Sequence, residues 1–195
     1  MRKYLFLSAL FISMCSIVHA QKIAVTVNYI LNNGPADKAT IFYDGKTKLK
    51  WDDFQGQPDN SVDFAALTSS GSGFNLSFES GNNVMTMTIN VFCDYSKPQS
   101  WVKPDKKTDY LLNHEQHHFD LTYIHTQRFI QKLRAANFTM KNYEKLIGEI
   151  YKDTEKELYE EQTKYDDETH HSVIKEKQEE WNKKIDEELA ALKTN

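Results

Sequence analysis

The stretch His114-Glu115-Gln116-His117-His118 constrains this chain more than any other. Read as H-E-x-x-H, it is meaningful only on a helix, where residues four apart are offset by about 40° and rise by about 6 Å along one face. The imidazoles of His114 and His118 can then reach a single ion. Zinc accepts neutral histidine nitrogen at about 2.0–2.1 Å and in catalytic sites keeps one position for water. Glu115, beside the first ligand, is placed to take a proton from that water. The pattern therefore predicts one Zn2+ per chain and hydrolysis, provided that the flanking residues build the helix.

They do so independently of the histidines. Beyond Pro104, Asp105 or Thr108 can cap a helix whose apolar positions Leu111, Leu112, Phe119, Tyr123, Phe129, Ile130 and Leu133 recur at helical spacing until about Ala136. A second helix begins near Met140 and carries Tyr143, Leu146, Ile147, Ile150, Tyr151 and Leu158, until Tyr165-Asp166-Asp167-Glu168-Thr169-His170-His171 interrupts the pattern. A third, over residues 173–192, keeps Ile174, Trp181, Ile185, Leu189 and Leu192 on one side with dense charge elsewhere.

The first half has a different period. Residues 23–31 alternate between apolar and polar until Asn32-Asn33-Gly34-Pro35 stops them, and Thr40-Ile41-Phe42-Tyr43 is a second short run. Phe74-Asn75-Leu76-Ser77-Phe78, the turn at Gly81-Asn82-Asn83, and the alternating residues 84–91 read as a β-hairpin. The expected fold class is α+β: a small antiparallel sheet in the N-terminal half, then a zincin-like helical half carrying HExxH, then a charged C-terminal helix.

At the N-terminus, Arg2 and Lys3 precede an apolar run over residues 4–18, and Val18-His19-Ala20 has small side chains where a signal peptidase reads. Residues 1–20 are thus expected to be a signal peptide, residues 21–171 the zincin-like domain and residues 172–195 the charged helix. The run is too short to span a bilayer, and no later stretch approaches the roughly 20 apolar residues required. The expected product is exported to the periplasm or the medium without a transmembrane segment. Cleavage removes Cys15 and leaves Cys93 alone, which excludes an intrachain disulfide and reads as a small buried hydrophobe. With 24 Lys and Arg interspersed among 28 Asp and Glu, the net charge of −4 offers no basic footprint, so nucleic-acid binding is disfavoured.

A third ligand can come from the second helix. In an antiparallel hairpin turning near Thr139, His114 lies level with position 164 and His118 with position 160, so the interruption returns to the metal. His171 is the first choice, with Glu168, Glu161, Asp166 and His170 as alternatives. His125 shares the motif's face but sits about 10 Å past His118 and cannot reach the same ion. His117 falls off that face, as a solvated or capping histidine would. A metzincin is excluded, because Leu121 stands where the helix-breaking glycine belongs and Ile124 where the third histidine belongs. Tyr165 is either a hydroxyl that stabilises an oxyanion or a packed tyrosine at a helix end. Trp51 and Trp101 read as core plugs before they read as binding platforms.

Several separated stretches together resemble a known family: Trp51-Asp52-Asp53-Phe54-Gln55-Gly56 with Pro58, Ala66 and Thr68; Ser100-Trp101-Val102; Leu112 through Asp120; and Tyr165 through His171. It is a family of exported bacterial proteins of unknown function described as secreted zinc-dependent proteases. The resemblance implies a zincin-like domain with His114 and His118 as ligands, Glu115 as base, and His171 at the family's later histidine. The chain departs at Ser172, where members often carry a glycine that permits φ > 0.

Three function classes follow. The first is a zinc metallopeptidase acting on a peptide or protein substrate; the second is a zinc-containing binding module without turnover; the third is an exported helical protein whose charged final helix recruits a partner. Glu115 favours the first over the second, since a scaffolding zinc site needs four protein ligands and no general base. The plain alternative to any metal is a histidine pair hydrogen-bonded across the helical hairpin.

Overall fold

The computed structural model describes residues 22–34, 37–81 and 84–192. The leader and its cleavage point lie outside the described residues, as does most of the hairpin turn at residues 81–83. Among the described residues, six strands, β1 (Lys22–Tyr29), β2 (Thr40–Phe42), β3 (Ala66–Leu67), β4 (Ser70–Gly81), β5 (Val84–Ser96) and β6 (Trp101–Val102), precede three α-helices, α1 (Asp109–Ala135), α2 (Tyr143–Thr169) and α3 (Lys175–Leu192). The architecture is mixed α and β, with a four-stranded sheet of β1, β2, β4 and β5 in the N-terminal half and β3 paired with β6 apart from it.

β5 is the centre of the sheet. β4 pairs with it antiparallel along its length, from Gly81 opposite Val84 to Ser70 opposite Tyr95, which is the expected hairpin. The other side of β5 is shared: β2 runs antiparallel beside its end, whereas β1 runs parallel beside its beginning, with Val25 opposite Met87 and Tyr29 opposite Val91. The sheet is therefore mixed, not purely antiparallel as expected. Alternation with a period of two is the same in both pairings, so the residues of β1 do not encode its direction.

The alternation in β5 buries Met87, Ile89, Val91, Cys93 and Tyr95 on one face. α1 lies against that face and also packs on the other two helices, which explains why so little of it reaches solvent. Phe129, Ile130 and Leu133 pack with Met87, Ile89 and Val91; Phe119 packs with Cys93 and Tyr95; Leu121 and Ile124 pack with Leu158, Tyr165, Trp181, Ile185 and Leu189. Burial raises the Cys93 thiol pKa well above its ordinary range, in keeping with a small hydrophobe. Thr108 caps α1, its side chain accepting from the Leu111 backbone at 3.1 Å.

The second helix is longer than its pattern suggested. It runs through residues 165–169, because Tyr165 and Thr169 are buried at helical spacing from Leu158 and the intervening acids hold no breaker. The chain breaks only afterwards, where His170, His171 and Ser172 take φ of 48°, 49° and 70°. Ser172 thus adopts the left-handed conformation that a glycine would take without strain. Trp101 is buried and stacks on Phe64, and Trp51 tilts against Phe54, so both are packed.

Candidate metal centre

α1 and α2 form an antiparallel pair whose turn lies at residues 136–142, and their facing residues meet in a constant register. His118 Nδ1 is 3.0 Å from Gln162 Oε1, and His114 Nε2 is 3.1 Å from Asp166 Oδ1. Asp166 Oδ1 is also 3.0 Å from His118 Nε2, and the two Nε2 atoms are 3.2 Å apart. These three atoms make a nearly equilateral triangle. Ligands held at about 2.0–2.1 Å on a tetrahedral ion are separated from one another by about 3.3 Å, so the triangle has the size that one such ion requires. Among the described residues, His114, His118 and Asp166 are the group whose ligand atoms all lie within 4.8 Å of one another.

The donor set has the right chemistry for zinc, two imidazole nitrogens and one carboxylate. Burial alone would resist ionisation of Asp166, but hydrogen bonds from His114 and His118 outweigh it and hold the carboxyl well below the usual range. Burial likewise opposes a charge on His118, yet the Asp166 carboxylate prevails and raises the His118 pKa.

Glu115 is buried next to the triangle. Its Oε2 accepts a hydrogen bond from the Thr68 hydroxyl at 2.7 Å, which turns the carboxylate towards the segment around β3. Residues 64–68 roof a cavity of about 120 Å³ whose floor includes His114, Glu115, His118, Gln162 and Asp166. An outer hollow of about 460 Å³ adjoins it across Phe64, Asp166 and His171.

His171, expected as third ligand, reaches this place differently. Its Nδ1 lies 3.3 Å from Asp166 Oδ1 and its ring stacks on Phe64, so it touches the same carboxylate oxygen from the rim and is not in the three-residue group. Of the alternatives, Asp166 is the one that joins the two histidines. Glu161 is held by His125 at 2.7 Å, Lys184 at 2.5 Å and Arg128 at 3.1 Å, and Glu168 accepts from the Trp181 indole at 2.8 Å. His170 caps α2. His125 thus belongs to a separate ion-pair network, as its axial distance from His118 requires. His117 is buried and paired with Asn113 at 3.2 Å, not solvated as expected.

Tyr165 lies beneath the histidines and is not among the residues lining the cavity. Its ring stacks on His114 at 4.5 Å, its hydroxyl donates to the His114 carbonyl at 3.3 Å, and Gln178 Nε2 donates to it at 2.6 Å. Burial raises its pKa far above the ordinary value, so it stays a neutral donor. Gln162 and Gln178 had no motif to announce them, and Thr68 was marked only by the family-resembling stretch, without a role. A polar residue at the apolar spacing of α2 or α3 was the available signal, since buried polar groups need partners.

Residues 18–172 match the family described as bacterial protein of unknown function (DUF922). No curated protein and no solved structure matches the chain. With most of its length covered by that match, the chain belongs to this bacterial family of unknown function.

Proposed function

We propose that this chain is an exported, zincin-like metallopeptidase whose zinc is held by His114, His118 and Asp166. The observation that carries the reading is the triangle of ligand atoms with edges of 3.0–3.2 Å, on a helix that also presents Glu115 to the same cavity. When bound, zinc would supply Lewis-acid polarisation of a carbonyl and a lowered pKa for water at the open position.

The chain's own residues do the rest. Glu115 accepts the proton of the attacking water and returns it to the leaving amine, while Thr68 fixes which carboxylate oxygen is engaged. The short segment over residues 64–68 closes the roof and excludes bulk solvent, which strengthens each electrostatic contact beneath it. Asp166 neutralises one positive charge of the ion, and His171 holds Asp166 from the rim. Tyr165 acts from below, by packing and by its hydrogen bond to the His114 carbonyl, which is the packed alternative and not the oxyanion one.

A catalytically silent zinc-binding module is the second reading. The small cavity and the Thr68 hydroxyl already seated on Glu115 favour it. One experiment separates the two: metal analysis of the purified protein, then peptide-library cleavage by the wild type and by Glu115→Gln. The peptidase reading expects about one zinc in both, with cleavage reduced about 10²–10⁴-fold in Glu115→Gln. Zinc without cleavage by the wild type selects the binding module, and a His114→Ala, His118→Ala variant that keeps its zinc removes both.

A further inference from the structure

α3 enters the metal centre through one residue. Gln178, in the first turn of that helix and 0% exposed, sets its Oε1 2.9 Å from His114 Nδ1. Its Nε2 lies 2.6 Å from the Tyr165 hydroxyl and 2.7 Å from Asn182 Oδ1.

The orientation of that amide follows from its partners. The Tyr165 hydroxyl gives its only hydrogen to the His114 carbonyl, so its oxygen must receive one, and of the two ends of the Gln178 amide only the nitrogen can donate. Oε1 is then the end that faces His114. An amide oxygen accepts and never donates, so Nδ1 must carry a hydrogen, and in the neutral ring Nε2, which faces Asp166 and His118, keeps the lone pair that an ion would take. His114, its own carbonyl, Tyr165 and Gln178 close a ring of hydrogen bonds that admits one tautomer, the one that can ligate.

A second ring of the same kind surrounds His118. The Thr122 hydroxyl donates to the His118 carbonyl at 3.0 Å, Gln162 Nε2 donates to Thr122 at 3.2 Å, and Gln162 Oε1 faces His118 Nδ1. α1 and α2 build that ring themselves, whereas the ring at His114 needs α3. Lys175, where α3 begins, lies beyond the residues 18–172 that match the family.

We infer that Gln178 is a positioning residue of the metal centre, fixing the tautomer and ring plane of His114, so that the charged C-terminal helix is a working part of the site. The inference rests on the reading of His114, His118 and Asp166 as ligands. Partners that orient a ligating histidine typically change metal affinity about 10–100-fold when removed. A carboxylate in place of the amide accepts the same hydrogen and makes the ring a stronger donor, while its other oxygen takes the Tyr165 hydrogen in place of the His114 carbonyl.

The test uses the full mature chain and measures zinc affinity by chelator competition together with the visible absorption of the Co2+-loaded protein. Gln178→Leu is expected to bind zinc about 10–100-fold more weakly and to shift the Co2+ spectrum. Gln178→Glu is expected to bind at least as tightly as the wild type, with an altered spectrum. Ile185→Ala, which loosens the same helix without reaching the ring, should lower the Tm of the metal-free protein and leave zinc affinity within about threefold, below the change that removing a ligand's partner brings. Wild-type affinity and spectrum in Gln178→Leu, or an equal loss of affinity in Ile185→Ala, would overturn the inference. Should Gln178→Leu not fold, Gln178→Glu decides: weaker binding or an unchanged spectrum sinks the idea. A wild type that binds no metal instead refutes the metal centre itself.

Discussion

His114 Nε2 stands 3.1 Å from Asp166 Oδ1, although 52 residues separate them in the chain. The contact exists because α2 stays helical through Thr169, which sets Asp166 one turn beyond Gln162 on the face that α1 meets. Had the helix ended at Tyr165, the carboxylate would have no fixed direction.

Asp166→Ala and His171→Ala separate the ligand from the residue behind it. Zinc affinity should fall by two orders of magnitude or more in Asp166→Ala, and by only about tenfold in His171→Ala, which loses an orienting contact. Chelator competition on both variants gives the answer, and the reverse order of losses would make His171 the third ligand.

Stability of the metal-free protein should peak at mildly acidic pH. His118 has its folded pKa raised above the ordinary 6.5, so its contribution is complete below that value and is lost as pH rises through the folded pKa. Asp166 has its folded pKa depressed below 3.8, so its contribution is present above that value and is lost on acidification. Tm measured against pH in chelator should therefore fall on the alkaline side, and His118→Ala should flatten that limb. Zinc binds the deprotonated pair, so the gap in Tm between zinc-loaded and metal-free protein should widen with pH. A constant gap would contradict the competition between proton and metal.

Ser172→Gly should stabilise the chain. A left-handed conformation costs a non-glycine residue about 1–2 kcal/mol, and the extra freedom of glycine in the unfolded chain returns about 0.4–1 kcal/mol of that. The net gain of about 0.5–1 kcal/mol corresponds to a rise of roughly 1–4 °C in Tm for a chain of this size. A lower Tm would mean that the serine makes a compensating contact.

Gly56→Ala should do the opposite. A Cβ there would lie 2.8 Å from the Pro98 carbonyl oxygen and 2.9 Å from that of Ser100, and neither backbone group can yield while Gly56 N donates to Ser100 O at 2.8 Å. The overpacking should cost about 1–3 kcal/mol, read as a lower Tm. Zinc content should not change, because the clash is with residues 98 and 100, outside the triangle.

What the sequence determined by itself is whatever depends on local period and local chemistry. Helical spacing around His114 and His118 placed both imidazoles on one face, and the hairpin rule brought positions near 160 and 164 towards them; the observed partners, 162 and 166, lie two residues further on. The alternation of β5 marked its buried face, and the departure at Ser172 pointed to a backbone that the structure holds at φ 70°. Tertiary structure alone decided the rest, because it turned on long-range pairing that leaves no periodic trace. β1 could have paired in either direction, since both directions bury the same alternate residues. His171 was the first choice for the third position and Asp166 one of four alternatives; burial of Tyr165 and Thr169 carried the helix past Asp166 and short of His171. Gln178 stood at the apolar spacing of α3, which marked it as buried but not what it would hold, and only the docking of α3 gave its amide a histidine.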